Sequence, residues 1–237
     1  MSEAEPLANS NASIVDGITQ VVAVHRVLPQ QERWLPVLCE PNGARAASFR
    51  ILRYRLKKQS DPRVLAVTSP LRSEGKTTTA FNLALALAED GCERVLLVEA
   101  NLQRPKIAEM LGFSTPSCFA RQLDRSLQRP DAPWEVVAAF SANLHVLAVD
   151  PTTVRLGPLC AHAFKSALRR LVGHGYAFIV VDCPAVLDSA DVNIIADSVD
   201  ALLFTAVEGR TRAADLRRAE ERLAPANIVG TVLLGVK

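Results

Sequence analysis

The stretch Leu65-Ala66-Val67-Thr68-Ser69-Pro70-Leu71-Arg72-Ser73-Glu74-Gly75-Lys76-Thr77-Thr78-Thr79-Ala80 decides the fold. It reads as a buried strand, a short loop ending in Gly-Lys-Thr, and a helix that runs on through Asn82-Leu83-Ala84-Leu85-Ala86-Leu87-Ala88. A nucleoside triphosphate site needs that order. The strand fixes the loop, the backbone N–H groups of Arg72, Ser73, Glu74, Gly75 and Thr78 surround the phosphates, and the helix N-terminus adds its dipole. Lys76 reaches the β- and γ-phosphates, the Thr77 hydroxyl ligates Mg²⁺, and Gly75 admits a close approach of backbone to phosphate. Pro70 stands where the strict motif has its first glycine. The alternative is an ordinary strand–turn–helix with a surface lysine, but a cation at a helix start opposes the dipole.

Outward from this loop, the chain alternates strand and helix. Short apolar runs at Val64–Thr68, Arg94–Val98, Leu144–Ala148, Phe178–Val181, Ala201–Val207 and Ile228–Leu234 have the character of strands buried on both faces. Helices are predicted over Ala44–Lys58, Thr77–Glu89, Pro158–Gly173 and Arg212–Leu223, the first with Ala47, Ile51 and Tyr54 on one face. The fold class that follows is α/β, a P-loop NTPase with a doubly wound, mostly parallel sheet and helices on both faces. Residues 1–43 read as a flexible N-terminal arm, polar and disordered to about residue 18 and interrupted by prolines beyond it. Residues 44–237 form the ATPase domain.

With 237 residues, 49% of them apolar, the chain can bury a large core, and a net charge of +2 excludes an extended nucleic-acid footprint. Arg45, Arg50, Arg53, Arg55, Lys57 and Lys58 form one local basic cluster, either a solvated helix face or a contact surface for a partner or anionic lipid. Cys39, Cys92, Cys118, Cys160 and Cys183 have no metal-ligand spacing and suit free thiols in a reducing compartment. His25, His145, His162 and His174 also lack metal spacing. No signal peptide and no membrane-spanning run is present, so a soluble cytoplasmic protein is expected.

Ligands of such sheets lie beyond the carboxyl ends of the strands. Val95-Leu96-Leu97-Val98 leads to Glu99-Ala100-Asn101-Leu102-Gln103-Arg104-Pro105, and Phe178-Ile179-Val180-Val181 leads to Asp182-Cys183-Pro184. Asp182 suits a strand-end carboxylate for Mg²⁺, or a cap for the next turn. Glu99 suits a Mg²⁺-shell ligand or a base. Asn101 takes up no proton at neutral pH. Arg104 suits a phosphate-neutralising cation or a plain surface arginine. Asp188 and Asp191 suit a nucleotide-responsive loop or helix N-caps.

Four segments together resemble the bacterial tyrosine kinase family, the ATPases of exopolysaccharide and capsule assembly. They are Thr68 to Thr77, Val95 to Pro105, Tyr176 to Pro184 and Asp191 to Arg210, and the order holds from about residue 40 to 235. The resemblance implies ATP and Mg²⁺ as cofactors and Lys76, Glu99, Asp182 and Arg104 in catalysis, with Thr77, Asp182 and Glu99 at the metal. It implies a membrane chain-length determinant, or polysaccharide co-polymerase, as partner that recruits the chain to the inner face of the plasma membrane. It implies assembly through Arg50 and Arg53 as well. Three departures stand out. Glu99 and Asn101 replace two aspartates, Ala47 replaces the glutamate of Glu-x-x-Arg-x-x-Arg, and Leu234 replaces an asparagine that contacts the base. The only tyrosines are Tyr54 and Tyr176, so no phosphorylation on a tyrosine tail is expected. Three readings follow: an ATP-hydrolysing or phosphoryl-transferring regulator of polymer length, a nucleotide-sensing scaffold of the same machinery, and a partitioning or cell-division ATPase. The last class carries a signature lysine where this chain has Leu71.

Overall fold

The computed structural model describes residues 13–15, 19–25, 34–112, 115, 117–152, 157–173 and 175–235. Its centre is the six-stranded parallel array expected from the sequence: β3 (Val64–Thr68), β4 (Arg94–Glu99), β6 (Leu144–Leu147), β7 (Tyr176–Asp182), β8 (Ala201–Val207) and β9 (Ile228–Leu234). They lie in the order β6-β4-β7-β3-β8-β9, every neighbouring pair parallel. Successive residues of these strands face opposite layers. Leu65, Val67, Val95, Leu97, Phe178 and Val180 join the core under α2 (Ala44–Gln59) and α3 (Lys76–Ala88). Ala66, Leu96, Val98, Ile179 and Val181 join the core under α6 (Ala161–Gly173) and α8 (Ala213–Leu223). Burial on both faces, in all but the edge strand β9, is why the strands carry no polar alternation.

Three strands extend this array beyond the expectation. β5 (Trp134–Ala139) forms an antiparallel hairpin with β6, which strict strand–helix alternation does not predict. β2 (Thr19–His25) pairs parallel with β5, and β1 (Ser13–Val15) pairs antiparallel with β2. The arm reading of residues 1–43 is therefore corrected for residues 13–15 and 19–25, where the backbone is held in the ladder. It is corrected again at α1 (Pro36–Cys39): Leu35 is fully buried, and Trp34 meets Phe81 edge-to-face at 6.0 Å. Asn82 pins this segment to α3, its amide nitrogen donating to Trp34 O at 2.7 Å and Thr78 O at 2.8 Å. Residues 1–12, 16–18 and 26–33 lie outside the described residues.

Short helices α4 (Ile107–Leu111), α5 (Phe119–Gln128) and α7 (Asp191–Ala196) complete the two layers. On α2 the apolar face of Ala47, Ile51 and Tyr54 points outward, with Ile51 54% and Tyr54 64% exposed. The helix instead buries Ala46 and Leu56, flanked by Phe49 and Leu52. Among the described residues, no helix is long and apolar enough to cross a membrane.

Candidate functional site

β3 delivers Thr68 and Ser69, both fully buried, into the loop that ends at α3. Ser73 and Gly75 take left-handed backbone, at φ of 56° and 75°. Such turns point successive N–H groups into one concavity, the geometry of an anion nest. Among the described residues no group accepts from the N–H of Ser73, Glu74 or Gly75. Lys76 curls over the loop, its ammonium donating to Ser69 Oγ at 3.1 Å and Leu71 O at 3.3 Å. Burial pulls the Lys76 ammonium below the usual lysine range, against the attraction of Asp182 and Glu74.

A cleft of about 470 Å³ opens above this loop. The loop supplies Arg72, Ser73, Gly75, Lys76, Thr77 and Thr78 to it, and the segment after β4 supplies Asn101, Gln103, Arg104 and Lys106. The segment after β7 adds Pro184, Ala185 and Asp188, and Asp188 is bonded to the Arg72 guanidinium. All three segments leave the carboxyl ends of adjacent parallel strands, as the topology requires.

Thr77 donates its hydroxyl proton to Asp182 Oδ2 at 2.7 Å. The other oxygen of Asp182 is buried and has no partner among the described residues. Burial pushes the Asp182 carboxyl up to about 7, opposed by the Thr77 hydroxyl and by Lys76 and reinforced by the charge of Glu99. A buried, unsatisfied carboxylate oxygen beside a threonine hydroxyl fits Mg²⁺. That ion takes one or two protein oxygens and completes its octahedron with phosphate and water.

Glu99 is placed differently. It is fully buried and does not line the cleft. One carboxylate oxygen accepts from the N–H groups of Lys106 and Ile107, the latter at 2.8 Å, and the other from Val149 N at 2.8 Å. It ties the start of α4 and the end of the β6 strand to β4. Burial raises its carboxyl, and the three amides act against that rise. The expectation of Glu99 as base or metal-shell ligand meets a carboxylate already committed to backbone. Arg104, by contrast, is exposed on the cleft wall.

Arg50 and Arg53 are engaged within the chain. Arg50 forms a forked pair with Glu89, and Arg53 bonds Ala86 O at 2.7 Å and Asp90 at 3.1 Å. Arg45 and Lys57 pair with Glu40 and Glu93, so the basic cluster of α2 is largely neutralised by acids beside it.

Sequence reasoning placed Glu74 in the loop but missed the side-chain contacts that brace the loop from outside the cleft. Glu74, fully buried, accepts from Leu71 N at 2.8 Å and from the Thr211 hydroxyl. Arg210 donates to Ser73 O at 3.2 Å and Arg72 O at 3.4 Å. Both partners come from the β8–α8 connection, 137 or 138 residues away from the atoms they hold. No local pattern signals such a contact.

No family model matches the sequence. Over 213 residues the chain is 25% identical to tyrosine-protein kinase YwqD of Bacillus subtilis, covering 88% of each chain. It is also 25% identical over 220 residues to the succinoglycan biosynthesis transport protein ExoP of Rhizobium meliloti, covering 90% of this chain but 27% of ExoP. The chromosome partitioning protein ParA of Caulobacter vibrioides is 34% identical over 176 residues, which cover 68% of this chain and 63% of ParA. In fold, the chain matches the kinase domain of VpsO with a TM-score of 0.68 at 24% identity, over 84% of this chain and all of that one. It also matches cobyrinic acid a,c-diamide synthase from Mycobacterium smegmatis, solved with an ATP analog and magnesium, at a TM-score of 0.51 and 23% identity. That overlap covers 73% of this chain and 74% of the synthase.

Proposed function

We propose, for a chain that belongs to the bacterial tyrosine kinase family, that it binds Mg-ATP in the cleft above residues 72–78. In this reading it works in exopolysaccharide assembly, docked on a membrane chain-length determinant at the inner face of the plasma membrane. The observation that carries the nucleotide reading is the Thr77–Asp182 pair at 2.7 Å, with its spare buried oxygen, beside an ammonium parked on the loop. Thr77 and Asp182 would hold Mg²⁺, which when bound neutralises phosphate charge. Lys76 turns from Ser69 and Leu71 onto the β- and γ-phosphates, and the N–H groups of Ser73, Glu74 and Gly75 donate to the phosphate oxygens. Arg104 adds a cation from the opposite wall.

A second reading, a nucleotide-sensing scaffold with slow or no turnover, is favoured by Glu99. Its carboxylate is consumed by three backbone amides, and Asn101, which does line the cleft, cannot act as a base. A third reading, a partitioning ATPase, rests on the ParA likeness and is disfavoured by Leu71 at that class's lysine position. One experiment separates the first two: Mg-ATP affinity and turnover of the natural protein, of Lys76→Met, and of Glu99→Asp with Asn101→Asp. Turnover lost in Lys76→Met supports the enzyme. Tight binding with no turnover until the aspartates are restored supports the scaffold. A chain that binds no Mg-ATP overturns both.

A further inference from the structure

We infer that Arg210 is a positioning residue for the phosphate-binding loop, holding its amides toward the nucleotide from the outer side; this rests on the nucleotide reading above. A trans peptide is planar, with its C=O and N–H pointing in opposite directions. Arg72 O shares a peptide with the N–H of Ser73, and Ser73 O shares one with the N–H of Glu74. The Arg210 guanidinium grips both carbonyls, at 3.4 and 3.2 Å. Two planar units fixed by one planar fork therefore aim two successive N–H groups the other way, toward the cleft that Ser73 lines.

The loop needs such a hold. Ser73 sits at φ 56°, a left-handed conformation that costs a non-glycine residue about fivefold or more in population. Gly75 adopts its positive φ freely, but Ser73 does not. The neighbouring pair acts in the same sense. Thr211 accepts from Val207 N at 2.8 Å and donates to Glu74, and Glu74 in turn holds Leu71 N at 2.8 Å. Loop geometry is thereby set by the β8–α8 connection rather than by the loop's own sequence. Arg is suited to this and Lys is not, because only a guanidinium presents several donors in a rigid fork.

The test measures Mg-ATP affinity by calorimetry and amide hydrogen exchange at residues 71–75 in nucleotide-free protein. Arg210→Ala is expected to weaken affinity about tenfold and to speed exchange of the loop amides. Arg210→Lys is expected to behave as Arg210→Ala, since charge without the fork does not hold two carbonyls. In a Ser73→Gly background, where positive φ carries no penalty, the loss on Arg210→Ala is expected to shrink to about threefold or less. Wild-type affinity and exchange in Arg210→Ala overturn the inference. So do full retention by Arg210→Lys and an undiminished loss in the Ser73→Gly background, either of which assigns Arg210 a direct charge on the phosphates. If the natural chain binds no Mg-ATP the nucleotide reading falls, and the exchange comparison alone decides whether Arg210 orders the loop.

Discussion

Leu234, at the end of β9, lays its side chain on Gly75: a Cβ built on Gly75 would lie 2.2 Å from Leu234 Cδ1. The last strand thus touches the phosphate-binding loop at its left-handed residue, φ 75°. Two penalties oppose any side chain there, the contact and the backbone conformation. They separate by mutation. Leu234→Ala removes the contact, while only glycine removes the conformational cost, about 1–2 kcal/mol. Gly75→Ala is expected to lose nucleotide affinity at least tenfold, and Gly75→Ala with Leu234→Ala to recover little of it, because a leucine tip can move aside but φ cannot. Isothermal titration of the two variants decides it. Full recovery in the double variant shows that the contact, not φ, sets the cost.

Glu99 makes its three hydrogen bonds to backbone N–H groups, so a glutamine in its place turns a donor toward donors. At least one amide of Lys106, Ile107 or Val149 loses its acceptor in a fully buried setting. Glu99→Gln is expected to destabilise the fold by about 1–3 kcal/mol, with Mg-ATP affinity within a few fold of the natural protein. Chemical denaturation and titration measure the two effects. Unchanged stability with lost turnover would instead place Glu99 in the chemistry.

The contrast between Glu99 and Asp182 shows what was legible in the sequence. Both are acids at the ends of neighbouring parallel strands, paired in register, and the strand pattern places both correctly. What separates them is which distant backbone reaches them. Val149 arrives 50 residues later in sequence to occupy Glu99, and nothing does so for the free oxygen of Asp182. Five of the six parallel strands were readable because burial on both faces leaves an unbroken apolar run, while the edge strand β9 is apolar in sequence yet partly exposed. β2 was not, because Val21-Val22-Ala23-Val24 lies among prolines and polar residues and gains its strand character only by pairing with β5. The outward face of α2 misled for a related reason. Its arginines lie over acids that follow α3, so charged stems, not Ile51 and Tyr54, flank the packed side.

Asp182 holds its proton in the nucleotide-free fold at pH values where the unfolded chain has released it. Its carboxyl sits at about 7, above the ordinary 3.8. The folded state therefore binds more protons between these values, and stability falls as pH rises from about 4 to about 7, by at most about 4 kcal/mol. Asp182→Asn keeps the shape and removes the titration. With chelator present, the variant is expected to match the natural protein near pH 4 and exceed its unfolding midpoint at pH 8, while losing the Mg²⁺-dependent part of ATP affinity. A midpoint below the natural protein's at pH 8 would contradict this. Such a gain on deleting a functional group is the mark of a site kept at the expense of stability.

His145 pulls in the opposite direction. It is buried on β6, its Nδ1 2.6 Å from the Tyr176 hydroxyl, with the Arg94 guanidinium over the Tyr176 ring. Burial first, then the charge of Arg94, lower its pKa to about 4 from 6.5. Here the unfolded state binds the extra proton, so stability is lost as pH falls from about 6.5 to about 4, by at most about 3 kcal/mol. Replacing His145 alone takes one partner from the tyrosine hydroxyl, so the informative variant changes both, His145→Phe with Tyr176→Phe, removing both sides of that bond together. Unfolding free energies measured from pH 7 to pH 4.5, referenced to Asp182→Asn to subtract the opposing titration, are expected to slope less in the paired variant. An equal slope would mean that another group carries the acid sensitivity, and that the buried imidazole is protonated without cost.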